Sequence, residues 1–347
     1  MIKTFFYSII FFYILYFFLK KFFYNLFLDK DFSKEQSFHK QPTPRFGGLL
    51  LSLTVFLVYS LENIENSSIN LILLLAFLNL ILGTLDDVKS LIHPVKRFFL
   101  FLFINFAFIF FYKIKINFFD FVILDYLNSF FFISFIIAFF CIFFSVNGSN
   151  LIDGFNGLLT IHSIIIFFIL LIVSKTYLFL EASYLISIIL ICLLIFLLNN
   201  FPFARIFLGD GGSFFLGTLI SMIVIYLSNN ATNISPFFFA ILIYYIFFEI
   251  LFSVFRKLFQ KKNPFLPDKY HLHMLLYYFL LKKKFNKIHS NYLTSIIINL
   301  YYLISIIPVY FFYKNSFICQ VYFVLLIFNY LIIYRFLALH NKNYEKN

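Results

Sequence analysis

Charged residues are scarce in this sequence. Only 12% of its 347 residues are charged, whereas 63% are hydrophobic and the mean hydropathy is +0.95. A soluble globular domain carries about a quarter charged residues, so that class is excluded. Disorder requires low hydrophobicity and is excluded as well. The composition predicts a polytopic membrane protein with no room for a separate soluble domain.

Cysteine is also rare, and tryptophan is absent. The three cysteines, Cys141, Cys192 and Cys319, stand singly in apolar runs, which excludes the paired spacing of a disulfide framework or a cysteine metal site. Basic residues outnumber acidic ones by 27 to 15, for a net charge of +12. In a membrane protein this excess is typical of cytoplasmic loops, so no nucleic-acid partner is expected.

Continuous apolar runs of helical length fill most of the chain, and a strand-like alternation is missing. We therefore predict an all-α fold of about eleven transmembrane helices, with ten as the alternative, in a single integral-membrane domain over residues 1–347. The first run is expected to be an uncleaved span and not a signal peptide. The predicted segments are 4–19, 48–61, 69–85, 98–112, 129–146, 158–173, 177–198, 213–228, 234–255, 292–313 and 317–339.

The distribution of Lys and Arg predicts the orientation. With the N-terminus outside and the C-terminus in the cytoplasm, 22 of the 27 basic residues lie on the inner face. All ten glycines lie in or near the inner loops, and so do Asp86, Asp87, Asp153 and Asp210. This distribution indicates a site on that face. The loops predicted to build it are 20–47, 86–97, 147–157, 199–212 and 256–291.

Asp86 and Asp87 end the third predicted span. A pair of carboxylates at a helix C-terminus opposes the helix dipole, and the two charges repel one another. A divalent cation would relieve both problems. The alternative is a solvated helix end that Lys89 neutralises.

A cluster of amides follows in the loop 147–157, which contains Asn147, Asn150, Asp153 and Asn156 but no basic residue. A polar turn is the simple interpretation, since Asn and Gly suit turns. The density of oxygen donors favours a hydrophilic ligand or Mg²⁺.

The most distinctive stretch is 199–213, in which Asp210 lies among three glycines directly before a predicted helix. Glycine lets a backbone approach a ligand closely, and a helix N-terminus favours an anion such as phosphate. An acid next to an anion implies a metal between them. An N-cap role for Asp210 is the alternative, but it explains only part of the run.

Two basic segments are weaker signals. Lys40 and Arg45 flank the Gly47–Gly48 pair before the second span. His271 and His273 lie in the largest inner loop, where an extended segment would turn both rings to one side. Basic residues flank many membrane helices, so neither segment indicates function by itself.

Together these five segments resemble the polyprenyl-phosphate N-acetylhexosamine-1-phosphate transferases of glycosyltransferase family 4. That family includes the undecaprenyl-phosphate GlcNAc-1-phosphate transferases and the phospho-N-acetylmuramoyl-pentapeptide transferases. The resemblance rests on residues 42–48, 86–91, 147–158, 200–213 and 268–273. It implies Mg²⁺-dependent transfer of a sugar-1-phosphate from a UDP-sugar to undecaprenyl phosphate, with release of UMP and Mn²⁺ as a substitute cofactor.

The resemblance also implies roles for individual residues. The residues it implies to be catalytic are Asp86, Asp87, Asp153, Asp210, His271 and His273. Those implied to bind substrate are Lys40, Arg45, Asn147, Asn156, Asn200, Phe207 and Arg256, with Phe207 stacking on uracil. Those implied to hold the metal are Asp210, Asn150 and Asp87.

The family further implies an enzyme of the bacterial inner membrane that acts at its cytoplasmic face on a UDP-N-acetylhexosamine. A role in starting a surface polysaccharide such as O-antigen is favoured over the peptidoglycan enzyme, and a homodimer is left open. Two departures from the family pattern, Glu249 and the residue after His273, bear on the sugar and not on the reaction. A transporter is the alternative from another class, but its polar residues would lie at mid-membrane.

Overall fold

The computed structural model of the protein describes residues 2–29, 42–61, 66–88, 94–264, 266 and 268–345. Helices make up most of this part of the chain. Their bounds are α1 Ile2–Phe22, α2 Gly47–Ser60, α3 Ser67–Asp87, α4 Pro94–Phe111, α5 Val122–Asn128, α6 Phe131–Ile152, α7 Leu158–Thr176, α8 Leu180–Asn200, α9 Gly209–Asn230, α10 Pro236–Phe259, α11 Leu272–Lys282, α12 Lys287–Ile306 and α13 Ser316–Glu345. A 3-10 turn, Ile307–Phe311, follows α12, and the strands β1 Leu28–Asp29 and β2 Thr43–Pro44 pair antiparallel.

Each of the eleven predicted apolar segments overlaps an α-helix over most of its length, so the all-α prediction is confirmed. Nine of the helices in the described ranges are long and apolar enough to cross a membrane. The helix α2 has only 14 residues, which at 1.5 Å per residue is about 21 Å and shorter than a bilayer core of about 30 Å. The count of eleven passes and their orientation therefore stay predictions.

The helices extend further at one end of the bundle than the predicted segments do. Asn147 and Asn150 belong to the last turns of α6, and Asn199 and Asn200 belong to the last turn of α8. The Gly-rich run after Leu208 is the first turn of α9 and not a loop. Turn-forming residues stay helical here because these turns are packed against neighbouring helices. The short helices α5 and α11 were not predicted.

The helix α9 is the centre of the fold, and it is buried along almost its whole length. It packs against α3, α6, α2 and α7. Small residues allow this close contact: a Cβ on Gly83 of α3 would overlap the backbone of Asp210 and Gly211, and a Cβ on Gly217 would overlap that of Val146 on α6. Such small-residue contacts are typical of helix packing in membranes.

A buried polar contact fixes the register of three helices. The Asn79 amide of α3 donates to Asn105 Oδ1 of α4 and to Thr218 Oγ1 of α9, both at 2.9 Å, and Asn105 donates back to Asn79 Oδ1 at 2.9 Å. In the absence of water, amide groups must find partners within the protein. This contact helps to hold the end of α3 and the start of α4 beside the start of α9, where the predicted site lies.

Candidate active site

The site begins where α3 ends against the first turn of α9. The carboxylate of Asp87 accepts hydrogen bonds from the backbone amides of Asp210 and Gly211, each at 2.9 Å. Gly209 turns the chain into the helix with φ +78°, and a Cβ there would lie 2.7 and 2.8 Å from the two carboxylate oxygens. Glycine is therefore required at this position both for its backbone angle and for the closeness of Asp87.

Asp87 thus supplies the anion that the sequence predicted for the N-terminus of α9. We expected phosphate there, but a carboxylate from a neighbouring helix already satisfies the two amides. An anion at this end of a helix is favoured by the helix dipole. The metal role predicted for Asp87 competes with these two hydrogen bonds.

Arg97, which was not predicted to be a site residue, connects Asp86 with Asp210. Its guanidinium Nη1 forms an ion pair with Asp86, and it lies 3.1 Å from Asp210 Oδ2. The three side chains are each about one-fifth exposed, so they face an accessible space at the end of the bundle. The sequence signal was the pair Lys96–Arg97 directly before an apolar run, which we had counted only as a determinant of topology.

The end of α6 completes this group. The Ser213 hydroxyl of α9 donates to Asn150 Oδ1 at 3.0 Å, which brings Asn150 beside the first turn of α9. Asn147 lies one turn earlier, and its amide donates to the carbonyl of Phe143 at 2.8 Å. We refer to Asp86, Asp87, Arg97, Asn150 and Asp210 as the acidic cluster.

Asp153 follows α6 in a short turn over residues 153–157. Burial raises the pKa of Asp153 well above its usual value, and the negative charge of Asp210 raises it further, while Arg45 acts in the opposite direction. The proximity of Asp153 and Asp210 that this implies agrees with a common site. Burial and the charge of Asp210 therefore both favour protonation of Asp153.

Asn156 and Asn200 hold loops together. The Asn156 amide donates to the carbonyl of Pro202 at 2.9 Å, and Asn200 accepts from the amide of Gly157 at 2.7 Å while donating to the carbonyl of Ile206 at 2.9 Å. The side-chain amides predicted to bind substrate are thus engaged with the backbone. They shape the loop between α8 and α9 next to the turn that carries Asp153.

The segment before α2 is joined to the loop before α9. The Phe207 amide donates to the carbonyl of Pro44, and the Gly47 amide donates to the carbonyl of Phe207. Arg45 donates through Nε to Asp29 Oδ2 at 2.9 Å, so part of its charge is paired within the protein. Phe207 is partly exposed beside this segment. Lys40, predicted to bind substrate, lies outside the described residues.

The two predicted histidines form a second group at the start of α11. Their rings are nearly parallel, with 5.5 Å between centroids. Glu249 of α10 lies 3.2 Å from His271 Nδ1, and Asp268 lies 3.4 Å from His271 Nε2. Burial, opposed by the charge of Glu249 and assisted by the nearby His271, lowers the pKa of His273 to about 4. His273 is therefore neutral at pH 7.

Arg256 lies next to this pair. It forms an ion pair with Asp268 at 3.1 Å, and its Nε and Nη1 atoms are buried without a hydrogen-bond partner among the described residues. Burial acts to raise the pKa of Asp268, but His271 and Arg256 outweigh it and lower that pKa. The Arg256 guanidinium therefore keeps donors that a ligand could use. We refer to Glu249, Arg256, Asp268, His271 and His273 as the histidine group.

The acidic cluster and the histidine group are connected. Phe155, in the turn after Asp153, has its ring 5.8 Å from that of His273, and the Asn156 backbone amide donates to Asn291 Oδ1 of α12 at 3.0 Å. The turn 153–157 therefore contacts both the end of α8 and the start of α11. Apart from Lys40, all the predicted site residues lie at the same end of the bundle.

The oxygen donors of the acidic cluster suit a hard cation. Mg²⁺ commonly takes one or two carboxylates from a protein and completes its coordination with water and substrate phosphates. Asp86 and Asp210, whose carboxylates both lie next to the Arg97 guanidinium, meet this requirement. In the described ranges no group of three or more His, Cys, Asp or Glu side chains is arranged to hold a metal by itself.

Comparison with known proteins gives related sequences. The sequence model of the family described as "Glycosyl transferase family 4" matches residues 69–228, which contain the whole acidic cluster. The chain is 34% identical over 128 residues to an "Undecaprenyl-phosphate alpha-N-acetylglucosaminyl 1-phosphate transferase" of Thermotoga maritima. That match covers 37% of this chain and 38% of the relative.

Two further relatives match over most of the chain. A "Probable undecaprenyl-phosphate N-acetylglucosaminyl 1-phosphate transferase" of Bacillus subtilis is 28% identical over 248 residues, which cover 70% of this chain and 68% of the relative. A "Phospho-N-acetylmuramoyl-pentapeptide-transferase" of Dictyoglomus thermophilum is 30% identical over 248 residues, which cover 69% of this chain and 76% of the relative.

Proposed function

The chain belongs to glycosyl transferase family 4, and from this premise we propose that it transfers a sugar-1-phosphate from a UDP-sugar to undecaprenyl phosphate. UMP is the second product. The observation that carries the proposal is the convergence of Asp86, Asp210 and Asn150 with Arg97 at one end of a bundle of apolar helices. The names of two relatives support undecaprenyl phosphate as the acceptor.

The reaction brings like charges together. An oxygen of the lipid phosphate attacks the sugar-linked phosphorus of the UDP-sugar, and the bond from that phosphorus to the oxygen of UMP breaks. A phosphate monoester is already largely anionic near pH 7, so a strong protein base is not required. Catalysis then depends mainly on charge neutralisation and alignment.

Residues of the acidic cluster are suited to this task. Asp86 and Asp210, with Asn150 beside them, would hold Mg²⁺, which supplies positive charge to the diphosphate; Mn²⁺ is the alternative ion. Arg97 would add a second positive charge, because its guanidinium is held between the two carboxylates and is partly exposed. Asp87 would act indirectly, since it fixes the backbone on which Asp210 stands.

The histidine group would bind the nucleotide end of the donor. Arg256 has two buried nitrogen atoms without a partner in the described part of the chain, and His273 has one. Buried polar atoms of this kind are satisfied by a ligand or by water. We infer that they contact the diphosphate or the uridine, with Phe207 stacking on the base.

A membrane location follows from the acceptor. The isoprenoid tail would stay in the bilayer while its phosphate reaches the end of the helix bundle, which we assign to the cytoplasmic face of the bacterial inner membrane. We propose a UDP-N-acetylhexosamine such as UDP-GlcNAc as the donor and a surface polysaccharide such as O-antigen as the pathway. The relative from Dictyoglomus supports a second candidate, UDP-N-acetylmuramoyl-pentapeptide as the donor.

The test is UMP release by the purified protein in detergent with Mg²⁺, undecaprenyl phosphate and a panel of UDP-N-acetylhexosamines that includes the pentapeptide donor. We expect UMP with one donor, none after EDTA, and recovery on adding Mg²⁺. Asp210→Asn should abolish release. Asp120→Asn is the matched control, because Asp120 is exposed at the opposite end of the bundle.

Two results would contradict the proposal. If Asp210→Asn released UMP at the wild-type rate, Asp210 would have no part in the reaction. If no donor in the panel yielded UMP while the wild-type protein was folded and monodisperse, the proposed reaction would be wrong.

A further inference from the structure

A buried carboxylate connects the last helix with the two histidines. Glu249 is only 1% exposed. Its Oε2 accepts a hydrogen bond from the Tyr330 hydroxyl of α13 at 2.5 Å, and its Oε1 accepts one from the Leu272 backbone amide at 2.9 Å. The same Oε1 lies 3.2 Å from His271 Nδ1. A buried carboxylate is tolerated only when its oxygens are satisfied in this way.

The contact with Leu272 shows what Glu249 holds in place. Leu272 is the first residue of α11, and His271 directly precedes it. A carboxylate on this amide caps the helix at the end that carries both histidines. The orientation of the His271 ring is fixed on one side by Glu249 and on the other by Asp268, 3.4 Å from Nε2.

Tyr330 lies at the far side of this chain of contacts. Its ring packs against Phe248 and Phe252 of α10, with centroid distances of 4.9 and 5.7 Å, which aims the hydroxyl at Glu249. The hydrogen bond from the phenol to Oε2 fixes the rotamer of the Glu249 side chain. The other carboxylate oxygen, Oε1, then faces the Leu272 amide and the His271 imidazole.

The helix α13 also holds the other end of α11. The ammonium group of Lys282, in the last turn of α11, donates to the carbonyl of Asn341 at 2.8 Å, and the Asn341 amide donates to the carbonyl of Leu275 at 2.9 Å. The helix that carries His273 is therefore attached to α13 near both of its ends. The contact between Tyr330 and Glu249 could not be predicted from the sequence, because the two residues are 81 positions apart.

We propose that Tyr330 is a positioning residue, which acts through Glu249 to orient His271 and His273 toward the substrate. This inference rests on the proposed transferase function for its kinetic effect, but not for its structural effect. Tyr330 touches neither substrate nor metal in this scheme. Its hydroxyl fixes the orientation of the Glu249 side chain. Glu249 in turn fixes the position of the first turn of α11, in or next to which both histidines lie.

The test compares Tyr330→Phe with a matched control, Tyr322→Phe. Both changes remove one hydroxyl from α13 and keep the ring. The Tyr322 hydroxyl donates to the carbonyl of Ser305 on α12 at 2.7 Å, away from the histidine group. Hydrogen–deuterium exchange of a peptide covering 268–275 reports on the Leu272 amide, and UMP release reports on function. Thermal unfolding checks that both variants are folded.

We expect faster exchange over 268–275 in Tyr330→Phe only. Its kcat/KM should fall about tenfold, the size expected for one hydrogen bond to a charged group, while Tyr322→Phe matches the wild type. Combining Tyr330→Phe with Glu249→Gln should be no worse than Glu249→Gln alone, in both exchange and kcat/KM. Non-additivity of this kind identifies residues that act through one another.

Other outcomes overturn the inference. If Tyr330→Phe behaved like Tyr322→Phe, or if the effects of Tyr330→Phe and Glu249→Gln added, Tyr330 would not act through Glu249. Absence of UMP from the wild-type protein with every donor would instead refute the proposed function. In that case the exchange measurements would still decide whether Tyr330 orders the start of α11.

Discussion

The neighbouring aspartates at the end of α3 have different surroundings, and exchanging each for asparagine should separate them. Asp87 is 9% exposed and accepts two backbone hydrogen bonds at the start of α9. Asp86 is 21% exposed and forms an ion pair with Arg97. We expect Asp87→Asn to destabilise the fold and Asp86→Asn to lower activity in a protein that stays folded.

The size of each effect follows from these contacts. A buried hydrogen bond to a charged group contributes roughly 1.5–3 kcal/mol. Asparagine keeps one acceptor oxygen but turns its NH₂ group toward the second backbone amide, so Asp87→Asn loses one such bond and brings two donors together. We expect about 2–4 kcal/mol of lost stability. A partly exposed ion pair contributes about 0–1 kcal/mol, so Asp86→Asn should change stability by no more than that.

Thermal unfolding in detergent at a fixed scan rate is a suitable assay, because unfolding of such a protein need not be reversible. All three cysteines are buried, so a thiol-reactive dye reports on their exposure during unfolding. UMP release by the same preparations gives the activity of each variant. Equal or greater destabilisation by Asp86→Asn, or a wild-type unfolding temperature for Asp87→Asn, would refute the capping role of Asp87.

Three further predictions concern neighbouring residues. Burial lowers the pKa of His273 from 6.5 to about 4, so the contribution of His273 to stability should fall by about 2 kcal/mol between pH 7 and pH 5, because the unfolded chain binds the proton first. The pH profile of His273→Gln in unfolding scans should differ from that of the wild type by this loss. The contribution of Asp153 to stability changes with pH in the opposite direction, because burial and Asp210 raise its pKa. This contribution should be lost as pH rises from 3.8 toward the pKa of the folded protein, and Asp153→Asn should remove this part of the pH profile. Gly83→Ala would force α3 away from the backbone of Asp210 and should reduce both UMP release and unfolding temperature. Gly154→Ala is its control and should change neither, because no described atom lies within 4 Å of a Cβ at that position.

The apolar runs predicted the helices well because hydrophobicity is a local property of the chain. Each of the eleven segments overlaps a helix over most of its length. The boundaries differ where Asn and Gly suggested loops, as at Asn147 and Asn200. Local propensity favours a turn at such residues, but burial against a neighbouring helix offsets that preference, and the structure keeps these residues helical.

The candidate site residues were chosen by their chemistry, but their partners could not be predicted from it. Asp87 and Asp210 are 123 residues apart, and only the packing of α3 on α9 shows that one caps the backbone of the other. Arg45 was predicted to bind substrate, and the structure pairs it with Asp29. Arg97 was counted as a topological charge, although it bridges two of the predicted catalytic aspartates.

The amino-acid sequence was enough to predict an all-α membrane protein of glycosyl transferase family 4, with its polar motifs gathered at the ends of apolar helices. Composition and short motifs carry that information, since each depends on residues close together in the chain. Only the packing of the helices shows that Asp87 caps α9, that Asp86 pairs with Arg97, and that Tyr330 contacts Glu249. Those assignments depend on the contact of distant helices, and hydrogen-bond geometry between them is set only when they pack.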